Sequence, residues 1–387
     1  TGPILFYTGN EGPIDAFWSG NGFMTDYLAP KWGAVVLMAE ARYYGETLPF
    51  GNETFEPANL QWLTTELILA DYALLLKTLK TTVLKDHADC PVLAFGGSYG
   101  GTLTTLFRLS YPDVVVGALA ASAPIGYYDP EHWTAHGVDA YTWTNVVKRA
   151  FGGAAPGCLD AINATRAALR AAPAATVVDA FGLCDETALQ PTQAALFEYA
   201  LEALPQQDYA HPVGDLPAWP VDAVCAALAQ AATDEELIAA AAKWSKLALG
   251  APASGCWPTL DEGPGGVPGD GPGPGAWGYQ SCTETLHQFS SDSAVRDYEF
   301  DLTAQSDLCF KLYGVRPDPT KLARLFGGYA IPGNVTNVVF SNGLRDPWSG
   351  GGFYAAAPSE AHASNAFCVM PSGAHHSDLR TPMDDDP

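Results

Sequence analysis

The stretch LAFGGSYGGTLTTL, residues 93–106, places one serine between two pairs of glycines. Gly96 to Gly100 matches the pattern G-x-S-x-G, with a strand-like apolar run before it and a helix-like run after it. On a sharp turn from strand to helix, the residues two before and two after the serine must be small, because a Cβ there would collide with the turning chain. The stretch therefore predicts that Ser98 is presented as a nucleophile. The alternatives are a glycine-rich turn that caps a helix, or a phosphate loop without its lysine.

Short apolar runs that end in glycine or serine recur along the chain and predict further strands. They lie at residues 4–9, 34–45, 91–97, 114–124, 337–343 and 366–373. Between the second and third, the apolar residues of 63–84 repeat at helical spacing, so strand and helix alternate as in a parallel sheet. Together with the serine motif, this alternation predicts a doubly wound α/β protein with the α/β-hydrolase fold.

A serine nucleophile also needs hydrogen-bond donors for the negative charge that develops on the attacked carbonyl oxygen. The N–H of Tyr99, at the start of the predicted helix, is one candidate. A second donor is expected from the loop FYTGNEGP, residues 6–13, where Asn10 and Glu11 are the candidates. The sequence does not decide between these two amides, and the loop also fits a simple turn.

The serine further needs a base and an acid, which in this fold follow it in the chain order Ser, Asp or Glu, His. Asp346 follows the predicted strand NVVFSNG, and His375 follows the predicted strand AFCVMPSG. Each alone also fits a turn former or a surface histidine, but their order and position predict that both join Ser98. Asp378 is a rival acid that ranks below Asp346.

The stretch from 126 to 325 interrupts the alternation with alanine-rich, helix-like segments. It predicts a helical cap inserted between a first core segment, 1–125, and a second one, 326–387. Within the insertion, DEGPGGVPGDGPGPG at 261–275 is too rich in proline and glycine to pack, so it predicts a flexible loop rather than a domain boundary.

Cysteine usage and glycosylation sequons both point to an oxidising compartment. The eight cysteines include no CxxC pair, which argues for disulfides and against a zinc site. Sequons start at Asn52, Asn163 and Asn334. We therefore expect the secretory pathway, with the lysosome, vacuole or extracellular space as destination. The opening TGPILFYTG carries no leader, so any signal peptide is expected to be removed or to lie outside this sequence.

Charge and hydropathy exclude two classes of partner. The formal net charge of −24 predicts repulsion of nucleic acids. No apolar run reaches the ~18 residues that cross a bilayer, so no membrane partner is expected. The sequence also gives no sign of a metal or another cofactor.

At the level of whole motifs, the chain resembles the prolyl carboxypeptidase and dipeptidyl peptidase II family of serine exopeptidases. The motifs that carry the resemblance are FYTGNEG, AEARYYGETLPFG, FGGSYGG, GALAASAPI, LPAWPVDAVC, WGYQSCTE, FSNGLRDPWSGGG and GAHHSDLR, in that order. The resemblance implies Ser98 as nucleophile, Asp346 as acid, His375 as base and the insertion as a cap over them. Ala41 departs from the family pattern, which has histidine there.

The resemblance also implies disulfides and a proline pocket. The implied pairs are Cys158–Cys225, Cys184–Cys256 and Cys282–Cys309, which leave Cys90 and Cys368 free. The implied substrate-binding positions are Thr102, Trp277, His287, Trp348, His376 and Arg380, with Arg380 as a candidate for binding a terminal carboxylate.

The leading prediction is a serine exopeptidase that cleaves peptides beside proline or alanine through an acyl-enzyme, as a Pro-Xaa carboxypeptidase or a dipeptidyl peptidase. Peptides are the expected partners, and a homodimer remains open. The alternatives are an esterase or lipase on the same fold, and a catalytically silent binding homologue.

Overall fold

The structure is a computed structural model that describes residues 2–189, 192–250, 255–257, 275–292, 294–354, 361–384 and 386. The proline- and glycine-rich segment predicted as a loop lies outside these residues up to position 274. Within them, no helix is both long and apolar enough to span a bilayer.

The main sheet has six parallel strands in the order β2-β1-β3-β4-β7-β8, and β5 and β6 form a separate antiparallel pair. The strands are β1 (Ile4–Thr8), β2 (Val35–Ala39), β3 (Val92–Gly97), β4 (Gly117–Ala121), β5 (Ser291–Asp292), β6 (Asp297–Tyr298), β7 (Val338–Gly343) and β8 (Ala366–Met370). Each of the six predicted apolar runs contains one strand of the main sheet. The strands at 34–45 and 114–124 are shorter than their runs, because residues 42–45 turn after β2 and the valines at 114–116 lie in a turn and a bend before β4.

In the described residues, the α-helices flank the sheet or lie between β4 and β7. They are α1 (Ala29–Trp32), α2 (Pro57–Leu60), α3 (Thr65–Thr82), α4 (Tyr99–Ser110), α5 (Thr142–Ala154), α6 (Cys158–Ala171), α7 (Ala174–Phe181), α8 (Ala195–Ala203), α9 (Pro220–Gln230), α10 (Asp234–Leu249), α11 (Ala276–Thr283), α12 (Leu302–Tyr313), α13 (Lys321–Phe326) and α14 (Ile331–Asn334).

The sheet is buried on both faces, as parallel sheets require. Along β1, Ile4 and Phe6 pack with the apolar side chains of α3 and α4, while Leu5 and Tyr7 pack on the opposite face with Phe95. Helix α3 fulfils the periodicity seen at 63–84, and the Thr64 hydroxyl caps it by accepting the Leu67 N–H. The parallel sheet covered on both faces, together with the G-x-S-x-G turn from β3 to α4, identifies the α/β-hydrolase fold.

Helices α5 to α10 enclose a hydrophobic cluster of their own. Two disulfides, Cys158–Cys225 and Cys184–Cys256, tie this region together, and Cys282–Cys309 joins α11 to α12. These pairs are the ones that the family resemblance implied, and Cys90 and Cys368 are free.

Helices α11 and α12 lie within the predicted cap range but pack in the same cluster as the sheet. Trp348, from the second core segment, packs in the cluster of the cap helices. The two regions therefore interleave, and the boundaries at 125/126 and 325/326 stay a prediction. The three sequon asparagines, Asn52, Asn163 and Asn334, are exposed.

Candidate active site

Ser98 lies at a strained turn between β3 and α4. Its backbone has φ 60° and ψ −129°, which a residue with a side chain rarely adopts. A Cβ on Gly96 would lie 2.5 Å from the Gly100 carbonyl oxygen, and one on Gly100 would lie 2.5 Å from Asn10 Oδ1. Both positions must therefore be glycine, and the turn holds the serine at the carboxyl end of the sheet.

Asp346 and His375 meet at the same end of the sheet, after β7 and β8. His375 Nδ1 lies 2.7 Å from Asp346 Oδ2, and the other carboxylate oxygen accepts the Trp348 N–H at 3.0 Å. Because Nδ1 bonds to the carboxylate, Nε2 is the ring nitrogen left for proton transfer. The cap also holds this loop, since the His375 N–H donates to the Gln206 carbonyl and Tyr209 Oη donates to the His375 carbonyl.

A cavity of about 180 Å³ brings the predicted catalytic and oxyanion residues together. Its lining includes Ser98, His375, Tyr99, Asn10 and Glu11. Among the described residues, no hydrogen bond joins Ser98 Oγ to His375. Such contacts are often long without substrate and tighten when it binds.

The wall of this cavity is largely aromatic. Trp277, His287 and Trp348 line it, with ring centroids 4.8 Å apart for His287 and Trp348. Tyr128 and Gln206 also line it, and sequence reasoning missed both. Tyr128 follows β4, so its place near the carboxyl end of that strand was a usable signal.

Gln206, by contrast, comes from the cap. Its side-chain oxygen accepts the Trp348 indole N–H at 2.9 Å. No local pattern marks this residue in the sequence, because its partner is 142 residues away.

Thr102 and Arg380, two of the predicted substrate contacts, do not line this cavity, and their roles stay a prediction. Thr102 is fully buried and faces a separate small cavity. Tyr128 lines both cavities. The guanidinium of Arg380 lies 3.7 Å from the ring centre of Tyr209 and lines a different cavity of about 610 Å³.

His376 lines the same cavity as His375, with the two ring centres 4.3 Å apart. The backbone N–H of His376 donates to Ser122 Oγ at 2.8 Å, which holds the residue in place. Burial lowers the pKa of His376 well below its usual value, and the neighbouring His375 and Arg380 lower it further. His376 is therefore neutral near pH 7.

Glu11 brings a carboxyl group into the cavity. Burial raises its pKa, whereas the nearby His375 acts in the opposite direction. One of its carboxyl oxygens is buried and has no hydrogen-bond partner in the described structure. The cavity thus holds an acidic group whose neutral form is favoured by its surroundings.

Comparisons with known proteins give the family of the chain. The model of the family Serine carboxypeptidase S28 matches residues 1–387. Lysosomal Pro-X carboxypeptidase of Homo sapiens is 36% identical over 98% of this chain and 76% of its own length. Prolyl carboxy peptidase like protein 5 of Caenorhabditis elegans is 32% identical over 98% of this chain and 78% of its own.

Among solved structures, proline iminopeptidase of Mycobacterium smegmatis aligns over 97% of this chain and 84% of its own, with 14% identity and a TM-score of 0.37, too distant to carry an argument. The family match over the whole chain and the relatives at 32% and 36% identity establish the family. The chain is a serine peptidase that belongs to the Serine carboxypeptidase S28 family.

Proposed function

We propose that this protein is a Pro-Xaa carboxypeptidase that removes the residue after a penultimate proline. The observation that carries the proposal is that His375, bonded to the buried Asp346, lines the same cavity as the strained Ser98. The relatives named Pro-X carboxypeptidase support the choice of substrate.

The proposed reaction begins when Ser98 Oγ attacks the carbonyl carbon of the proline residue. His375 Nε2 takes the hydroxyl proton, and Asp346 holds the imidazole and stabilises its charged form. The backbone N–H of Tyr99, with that of Asn10 or Glu11, stabilises the oxyanion. The C–N bond then breaks, and the proton moves from His375 to the leaving amine. Water then attacks the resulting ester, His375 Nε2 takes its proton and returns it to Ser98 Oγ, and the C–O bond to Ser98 breaks to release the acid.

The aromatic wall suits the proline ring. Trp277, Trp348 and the imidazole of His287 present flat, apolar faces to a rigid pyrrolidine. The same wall leaves room for alanine, so we propose proline first and alanine second at the residue before the cleaved bond.

A dipeptidyl peptidase is the second candidate, and Glu11 favours it. The cavity lining contains a carboxyl group but, in the described part of the chain, no lysine or arginine. An ionised Glu11 would attract the ammonium group of a substrate's N-terminus and repel a terminal carboxylate. A neutral Glu11 would allow either the N-terminus or the C-terminus of a peptide to bind beside it.

Labelling by a fluorophosphonate probe tests the nucleophile. We expect labelling of the intact protein and none of Ser98→Ala. Unchanged labelling of the variant would refute the assignment of Ser98, and a protein that takes up no probe would be a silent binding homologue. Hydrolysis of a p-nitrophenyl ester without peptide cleavage would point to an esterase.

Mass analysis of digested peptides tests the substrate. Xaa-Yaa-Pro-Zaa should lose Zaa, and the same peptide with an amidated C-terminus should be cut poorly. Cleavage of Xaa-Pro-Yaa-Zaa after proline, abolished by N-acetylation, would select the dipeptidyl peptidase instead.

The compartment follows from the same assignment. The three disulfides and the lysosomal relatives support the secretory pathway, and we propose the lysosome or an equivalent compartment as the destination.

A further inference from the structure

A buried hydrogen-bond network anchors the side chain of Tyr99, the residue after the proposed nucleophile. The Tyr99 hydroxyl lies 3.0 Å from Thr65 Oγ1 and accepts from Gln280 Nε2 at 2.8 Å. The Tyr44 hydroxyl donates to the side-chain oxygen of the same Gln280. Tyr99, Thr65 and Gln280 are each 1% exposed or less. The network thus joins the nucleophile turn to two distant helices, α3 and α11.

Glu284, just after α11, completes the network. Its Oε1 accepts the Thr65 N–H at 2.8 Å, the Thr65 hydroxyl at 2.7 Å and Gln280 Nε2 at 3.3 Å. Its other oxygen lies 3.1 Å from Lys321 Nζ. The positive charge of Lys321 and the N-terminus of the long helix α3 offset the desolvation cost of the buried Glu284 carboxylate.

These contacts allow a single arrangement of protons. The Thr65 hydroxyl donates to Glu284, so it accepts from the Tyr99 hydroxyl, which in turn accepts from Gln280. Burial raises the pKa of Tyr99 well above its usual value, so the phenol keeps its proton. A network with one proton arrangement fixes geometry more tightly than packing alone.

Helix α11 also carries Trp277 into the catalytic cavity. The Trp277 ring centre lies 5.0 Å from that of Tyr99, whose backbone N–H is the proposed oxyanion donor. The disulfide Cys282–Cys309 already ties α11 to α12. The disulfide holds α11 in the fold, and the polar network adds a second, separate link from α11 to the nucleophile turn.

We propose that the network of Tyr44, Thr65, Tyr99, Gln280 and Glu284 positions Trp277 relative to Ser98 and thereby sets the preference for proline before the cleaved bond. This inference rests on the proposed function. Gln280 is a positioning residue: it bonds to the Tyr99 hydroxyl and shares helix α11 with Trp277, but it is not among the described residues that line the cavity. Loss of the link lets α11 shift, so that a rigid proline ring loses its close contact while a smaller alanine is little affected.

The test compares Gln280→Leu and Tyr44→Phe with a matched control, Tyr279→Phe. Tyr279 lies on the same helix, but its ring packs against Tyr313, and within the described structure no hydrogen bond joins its hydroxyl to the network. The measured quantities are kcat/KM for Xaa-Yaa-Pro-Zaa and Xaa-Yaa-Ala-Zaa, the rate of inactivation by a small fluorophosphonate, and the melting temperature.

We expect the proline-to-alanine ratio of kcat/KM to fall about tenfold in Gln280→Leu, which corresponds to about 1.4 kcal/mol, and about threefold in Tyr44→Phe. The inactivation rate should stay within about twofold, because a small probe does not need Trp277. The control should keep the ratio of the parent protein. If Gln280→Leu does not fold, Tyr44→Phe carries the test.

An unchanged ratio in the folded variants, or an equal change in Tyr279→Phe, would overturn the inference. If the parent protein cleaves neither peptide, the proposed function fails on its own. The network is then tested with p-nitrophenyl esters of acylated proline and alanine, where the same fall in ratio is expected and a constant ratio would refute it.

Discussion

His375 Nδ1 bonds to Asp346 Oδ2 at 2.7 Å across a gap of 29 residues, and the carboxylate has no exposed surface. The pair joins the ends of β7 and β8, and the same Asp346 accepts the N–H of Trp348 from the aromatic wall. Asp346 therefore holds both the His375 imidazole and the loop that carries Trp348, one wall of the cavity.

Asp346→Asn should leave the protein folded and lower kcat by about 10³- to 10⁴-fold, because an amide favours the wrong tautomer of His375. Steady-state kinetics with a proline peptide would measure the loss. Asp378→Asn serves as the control, since its carboxyl bonds to Ser341 rather than to His375. A larger loss in Asp378→Asn would mean that the acid is misassigned.

Gly100→Ala should destabilise the fold by about 2 kcal/mol or more and abolish fluorophosphonate labelling, because its Cβ would lie 2.5 Å from Asn10 Oδ1 and 2.7 Å from the Thr8 carbonyl. Denaturant unfolding would measure the change. Gly153→Ala, on helix α5, meets no atom within 4 Å and should be stabilising by up to about 1 kcal/mol. Equal effects at the two sites would contradict the steric argument.

Glu11→Gln should extend activity to higher pH. Burial raises the pKa of Glu11, so the carboxyl stays neutral until the pH passes that raised value. Ionisation then places a negative charge beside the developing oxyanion and lowers kcat/KM, whereas glutamine stays neutral. A pH profile of kcat/KM would show the difference. Asp15→Asn, exposed in the same segment, should leave the profile unchanged; a profile of Glu11→Gln identical to that of the parent would rule out this role.

Asp378→Asn should change how stability depends on pH. Burial raises the pKa of Asp378 from 3.8 to about 6. Its contribution is therefore fully favourable below about pH 4 and is lost as the pH rises through 6. The variant avoids this loss, so relative to the parent it should be more stable at pH 7 than at pH 4, by on the order of 2 kcal/mol.

Unfolding at both pH values would test the Asp378 prediction. The exposed Asp89→Asn is the control, with a difference expected within about 0.5 kcal/mol. A pH-independent effect of Asp378→Asn would show that its carboxyl is not perturbed.

The serine turn and the chain order of the acid and base were readable from the sequence because local sterics and strand ends dictate them. Gly96 and Gly100 mark a turn that only glycine permits, and Asp346 and His375 each follow an apolar run that becomes a strand. Parallel strands end at one edge of a sheet, so these loops had to converge.

Tertiary packing alone decided which side chains face the cavity. Thr102 and Arg380 line other cavities, the guanidinium of Arg380 packs on the ring of Tyr209, and Gln206 reaches Trp348 from the cap. The sequence determined the fold, the nucleophile turn and the order of the catalytic loops, because these depend on backbone conformation and on strand periodicity. The tertiary structure decided the pocket wall and its polar support, since contacts between residues more than 100 positions apart leave no local pattern in the chain.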